Sequence, residues 1–129
     1  LKRGEPMTRI LTIIAFSFVT HAWANEVDGN SFYCKGLKNT RENGAIIFQN
    51  GKVVMYDNVG KSNEYYYTAR DTSVIWFENK YQSYTISRIS LELKLWNDEA
   101  PSEYATWQCE FMEINKARRL AIEAFEQNN

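Results

Sequence analysis

The sequence predicts an all-β fold: a small antiparallel meander, closed as a barrel or sandwich of about seven strands, tied by one disulfide and followed by a short C-terminal amphipathic helix. Three observations carry that expectation. Short runs of β-branched and aromatic residues alternate with turn residues over 30–111, the pattern of a small antiparallel domain. Asn50-Gly51 stands between two apolar runs in AIIFQNGKVVMY, as a two-residue type I′ turn requires, because both central residues take positive φ. The only two cysteines, Cys34 and Cys109, fall in the first and last of these runs.

Residues 1–24 read as upstream residues and a secretory signal peptide. A basic start, Met7-Thr8-Arg9, precedes an apolar run from Ile10 to Val19, and Ala22-Trp23-Ala24 supplies a small-residue cleavage site before Asn25. The run is too short for a bilayer core, which needs roughly 20 residues, and no later stretch is long and apolar enough to span one. Residues 25–129 then form a single domain, expected in the periplasm or outside the cell. Cleavage removes Lys2, Arg3, Arg9 and Glu5 from the chain's 15 basic and 16 acidic residues, leaving a net charge of −3. No basic face remains beyond Lys116, Arg118 and Arg119, which argues against nucleic acid as a partner.

The elements follow in order. Asn30–Leu37 is the first expected strand, closed by the polar stretch Asn39–Gly44. In the Asn50-Gly51 hairpin, counting from the turn pairs Gln49 with Lys52, Phe48 with Val53, Ile47 with Val54 and Ile46 with Met55. Ile46, Phe48, Val53 and Met55 then share one face, and Ala45, Ile47, Val54 and Tyr56 the other. Both faces are apolar, so both should be covered. Asp57–Asn63 reads as a loop, Glu64–Arg70 and Ser73–Glu78 as strands, and Tyr81–Ser87 as another. There the parity changes: Tyr84 and Ile86 alternate on even numbers, Ile89, Leu91, Leu93 and Leu95 on odd ones. One residue of slip turns every side chain to the opposite face, so a tight turn, in preference to a bulge, is expected around Ser87–Ser90. Leu91–Trp96 alternates strictly, Asn97–Glu103 is a loop, and Tyr104–Phe111 is the last strand. Ile114, Ala117, Ala121, Ala124 and Phe125 recur at helical spacing, with Asn115 as the expected cap.

The inventory of reactive groups is short. His21, the only histidine, lies in the leader, so residues 25–129 have no imidazole for a Ser-His-Asp or Cys-His arrangement or for an imidazole-ligated metal site. Cys34 and Cys109 are too far apart in sequence for a C-x-x-C centre, and in an oxidising compartment two cysteines of a small domain pair. They are expected to form a structural disulfide between the first and last strands. Carboxylates are the remaining hydrolytic groups: Glu64, Asp71, Glu78 and Glu92 on or beside strands, and Asp98, Glu99 and Glu103 in the last loop. No spacing among them fixes the separation a glycosidase needs. Glu26, Asp28 and Asn30, or the last-loop acids, offer oxygen atoms to calcium without the twelve-residue loop pattern. The expectation is no metal, no cofactor and no catalysis.

Aromatic residues are abundant: eight Tyr in the whole chain, with Trp and Phe bringing the aromatic share to 15%. Tyr65-Tyr66-Tyr67 must point to both faces of a strand. Trp96 shares its parity with Glu92 and Lys94, the polar side. Such residues suit a platform for a sugar or a protein, unless the C-terminal helix covers them or they fill a thin core.

Tyr33 and Phe32 beside Cys34, the hairpin residues Asn50-Gly51-Lys52, the stretch Tyr84-x-Ile86-x-Arg88-x-x-Leu91-x-Leu93 and a final Cys109 resemble a pattern in small exported bacterial and phage-encoded β-proteins of unknown function. The resemblance covers most of residues 25–129 and implies a disulfide-tied meander without naming an activity. Periplasmic lysozyme inhibitors are similar in pairing an early and a late cysteine on a small barrel, but their Ser-Gly-x-x-Tyr motif is absent here. The sequence thus points to an exported, non-catalytic binding or interaction module, with an envelope protein or glycan as partner. A carboxylate-based hydrolase and a carrier of an apolar ligand are the alternatives.

Overall fold

The computed structural model describes residues 26–37, 42–57, 60, 62–99 and 105–127; the leader lies outside them. Eight strands form one closed antiparallel barrel in sequence order: β1 (Ser31–Leu37), β2 (Gly44–Gln49), β3 (Lys52–Tyr56), β4 (Ser62–Ala69), β5 (Ser73–Phe77), β6 (Gln82–Ser87), β7 (Glu92–Asn97) and β8 (Ala105–Phe111). A helix, α1 (Ile114–Gln127), follows. The sheet closes where β8 pairs with β1, and there Cys34 and Cys109 are ladder partners joined by the disulfide. The barrel is therefore an up-and-down meander with no free sheet edge.

Eight strands stand where about seven were expected. The parity change marks a turn over residues 88–90, which separates β6 from β7. Ser87 Oγ accepts the backbone N–H groups of Ile89 and Ser90, and Leu91 re-enters the sheet with φ of 62°. β4 also starts at Ser62 rather than Glu64, because Ser62 and Asn63 pair with Tyr56 and Met55. The hairpin has the expected register from Gln49↔Lys52 to Ala45↔Tyr56, with Asn50 at φ 55° and Gly51 at φ 75°.

The pleat sorts the side chains. Phe32, Cys34, Ile46, Phe48, Val53, Val74, Trp76, Tyr84, Ile86, Leu93 and Cys109 are buried in one interior cluster, with Met55, Tyr65, Tyr67, Leu95 and Trp107 packed against it. Rings fill one end: Phe48 meets Phe32, Tyr67 and Trp76 edge to face, and Trp76 stacks on Tyr84 at 5.5 Å. These offset and T-shaped contacts suit the ring quadrupoles. The Trp76 indole N–H points to Met55 Sδ at 3.3 Å. Val27 plugs that end, and Asp28 ties it to the hairpin by accepting the Gly51 N–H and the Tyr67 hydroxyl.

The second apolar face of the hairpin is covered by the helix. Tyr33 and Ala45 pack against Ala117 and Ala121, with Tyr56, Met112 and Leu120 around them. The alanines let the helix sit close to the sheet, and the Arg118 guanidinium lies 4.8 Å from the Tyr56 ring centre. The cap is Glu113, not Asn115: its carboxylate accepts the N–H groups of Asn115 and Lys116, and these bonds hold its pKa below the usual carboxylate value. No helix among the described residues is long and apolar enough to cross a membrane.

Candidate functional site: an outer aromatic row and an open barrel end

Two features remain once the packing is accounted for. The first is on the outside. β5 and β6 pair Phe77 with Ser83, and β6 and β7 pair Ser83 with Trp96. Tyr67 pairs with Trp76, so one step along that ladder sets Tyr66 level with Phe77. Tyr66 in turn pairs with Lys52. The result is a transverse row, Lys52–Tyr66–Phe77–Ser83–Trp96, across β3 to β7. Tyr66 is 77% exposed, Phe77 64% and Trp96 36%. Adjacent strands lie about 4.8 Å apart, so Phe77 and Trp96 stand about 10 Å apart with only the small Ser83 between them.

Polar groups border the row. Lys52 Nζ lies 5.1 Å from the Tyr66 ring centre and Lys94 Nζ 5.7 Å from that of Trp96. Lys94 also pairs with Glu92 at 3.4 Å. Beside Trp96 a shallow groove lined by Thr85, Ser87, Ile89 and Lys94 runs toward the β6–β7 turn. The helix contacts β1 and β2, so among the described residues this aromatic face stays open. Of the three consecutive tyrosines, Tyr65 and Tyr67 join the interior cluster and Tyr66 is exposed.

The second feature is the barrel end opposite Val27. There the interior side chains leave a cavity of about 200 Å³, walled by Ile46, Met55, Tyr65, Tyr84, Leu93 and Trp107, with the Cys34 end of the disulfide among the lining. Gly44 belongs to this wall, where a Cβ would meet the Tyr56 carbonyl oxygen at 2.8 Å. Inward parity runs to the strand ends and past them, through Glu42 before Gly44, Asp57 after Met55, Asn63 before Tyr65 within β4 and Glu78 after Trp76. All four line the cavity. Part of the rim is held in place: the Trp107 indole N–H donates to the Glu42 carbonyl at 2.9 Å, and Asn43 bridges the Gly36 N–H and the Tyr33 hydroxyl. Burial and the nearby Glu78 raise the Tyr65 pKa, and burial with Glu78, Tyr65 and Glu42 raises that of Tyr84. Both phenols are therefore protonated at neutral pH.

The acids singled out from the sequence separate. Glu78 reaches the mouth beside Glu42 and Asp57, two acids the sequence reading did not single out. Glu64 and Asp71 are exposed and Glu92 is half-buried on the outer face. Asp98 and Glu99 follow β7 in a turn, where the Glu99 N–H donates to Asn97 Oδ1. Glu103 lies outside the described residues. Near the N-terminus, Asp28 is engaged with Gly51 and Tyr67, and Asn30 presents its amide N–H groups to the Glu26 and Val27 carbonyls. No protein family model, curated protein or solved structure matches this chain.

Proposed function

We propose that this protein is an exported, non-catalytic binding module whose outer aromatic row engages a glycan of the cell envelope or its surroundings. The observation that carries the reading is the row itself: three large aromatic side chains held level on a rigid sheet and left open by the helix. Pyranose rings present apolar C–H faces to aromatic rings, while their hydroxyls bond to side chains such as Ser83, Thr85, Lys94 and Glu92. A protein hot spot more often sits in a desolvated pocket; this row is linear, shallow and bordered by polar groups. An extended chain fits that shape better than a globular partner.

Export is supported by the signal-like leader and by a disulfide at the barrel closure, which is at home in an oxidising compartment. The non-catalytic reading is supported by the absence of histidine from residues 25–129 and by the separation of Glu64, Asp71 and Glu92 from Glu78, which alone of the strand acids lines the cavity. The test is a titration of the disulfide-bonded protein with soluble oligosaccharides from envelope glycans, followed by tryptophan emission. Trp76 is fully buried, so a blue shift that disappears in Trp96→Phe reports on the row. Saturable binding with that signature is the expected result. Binding only to an envelope protein, or glycan binding with the Trp96 signal unchanged, would overturn the reading.

A further inference from the structure

The cavity at the open end has no part in the outer-face reading, and its chemistry differs. Its deep wall is apolar and aromatic: Ile46, Met55, Leu93, Tyr65, Tyr84 and Trp107. Its mouth carries three carboxylates, Glu42, Asp57 and Glu78, and no Lys or Arg is among the described lining residues. Aromatic faces and carboxylates favour the same kind of guest. A ring quadrupole attracts a cation within about 6 Å of its centre, and the rim carboxylates, Asp57 half-buried and Glu42 and Glu78 exposed, lower the potential over the opening. The raised phenol pKa values of Tyr65 and Tyr84 fit the same negative surroundings. Size sets a further limit, since drug-sized ligands occupy roughly 300–1,000 Å³ and this cavity offers about 200 Å³.

We propose that the open end of the barrel binds a small organic cation: an ammonium group on a short apolar body, with the body against the aromatic wall and the ammonium at the Glu42–Asp57–Glu78 rim. The wall is built for occupancy rather than collapse. Strands and the disulfide fix its shape, Trp107 holds the Glu42 backbone at the rim, and Gly44 has no room for a side chain. Interiors of eight-stranded barrels are wide enough either to be filled or to hold one small ligand. Here the ring-filled end does the first and the open end the second.

The experiment uses the intact, disulfide-bonded protein and three probes of one shape: phenethylamine, phenylacetate and ethylbenzene. NMR shifts of the Trp107 indole N–H report binding. Phenethylamine is expected to bind saturably and phenylacetate not to. Glu78→Gln and Glu42→Gln, which keep the shape of the rim, are each expected to weaken the amine roughly tenfold, the scale of one charge-assisted contact. The double variant Phe77→Ser/Trp96→Ser should leave amine binding unchanged, which separates this site from the outer row. Residues 38–41, 58, 59 and 61, outside the described residues, include Lys38, Arg41 and Lys61 in sequence; phenylacetate measures any counter-charge they supply. Phenylacetate or ethylbenzene binding as tightly as the amine would overturn the proposal. So would amine binding that neither Gln variant weakens.

Discussion

Asp28 shows how one side chain can hold an end of the barrel together. It accepts the Gly51 N–H at the β2–β3 turn and the Tyr67 hydroxyl at 2.6 Å. Burial, together with this bond to a carboxylate, pushes the Tyr67 pKa up to about 12. An ordinary tyrosine titrates near 10, so between those values the unfolded chain releases a proton that the folded chain retains. The contribution is complete below about pH 10 and is lost as pH rises through about 12; Tyr65 and Tyr84 act in the same direction. Denaturant midpoints are therefore expected to fall on going from pH 9 to pH 11.5. Tyr67→Phe should flatten that decline and cost about 1 kcal/mol at pH 7, the usual net value of one hydrogen bond. An equally steep alkaline decline in the variant would show that Tyr67 is not its source.

At the scale of elements, the hairpin was the most legible piece and the open mouth the least. Asn50-Gly51 prescribes its backbone locally, and the register then follows by counting, which is why the four pairs from Ile46–Met55 to Gln49–Lys52 stand as expected and Ala45↔Tyr56 continues them. The Ser87–Leu91 turn was legible from parity alone, which favoured a tight turn over a bulge, and a turn over 88–90 stands there. Two other features depend on distant pairing. Phe77 and Trp96 become neighbours only through Ser83, and Glu42, Asp57 and Glu78 converge only once the barrel closes. No local pattern announces either. The helix cap was misassigned to Asn115 because Glu is a less usual cap than Asn; two backbone bonds to Glu113 decide it. Helix docking has its own prediction. Ala117 and Ala121 are fully buried against Tyr33 and Ala45, so Ala121→Leu should overpack the interface and cost about 1–3 kcal/mol. Ile122→Leu on the exposed side should change stability by less than about 0.5 kcal/mol. Equal effects of the two substitutions in equilibrium unfolding would mean that the helix does not pack as described.

For the whole molecule, closure is the organising fact. The disulfide joins β1 to β8 across a sequence separation of 75, and loop-closure entropy over such a span stabilises the fold by about 4 kcal/mol. Cys34→Ala/Cys109→Ala is expected to unfold at correspondingly lower denaturant with its barrel spectrum retained in water. Two thiols that alkylate freely in the unreduced protein would refute the bridge itself. Closure also divides the labour between the two surfaces. Large rings inside fill the barrel, while Tyr66, Phe77 and Trp96 lie exposed in a row on the outside. The helix that might have covered them is on β1 and β2 instead.

That division leads to the decisive comparison. Wild-type protein and the Phe77→Ser/Trp96→Ser variant, matched for unfolding midpoint, are sedimented with isolated envelope glycan, and the bound fractions are measured over a concentration series. Each aromatic ring partly covered by a sugar contributes about 1 kcal/mol, roughly half the transfer free energy of a fully buried side chain, so the account predicts a roughly thirtyfold loss of affinity in the double variant. Equal sedimentation of the two proteins, or no sedimentation of the wild type with any envelope glycan, would contradict it.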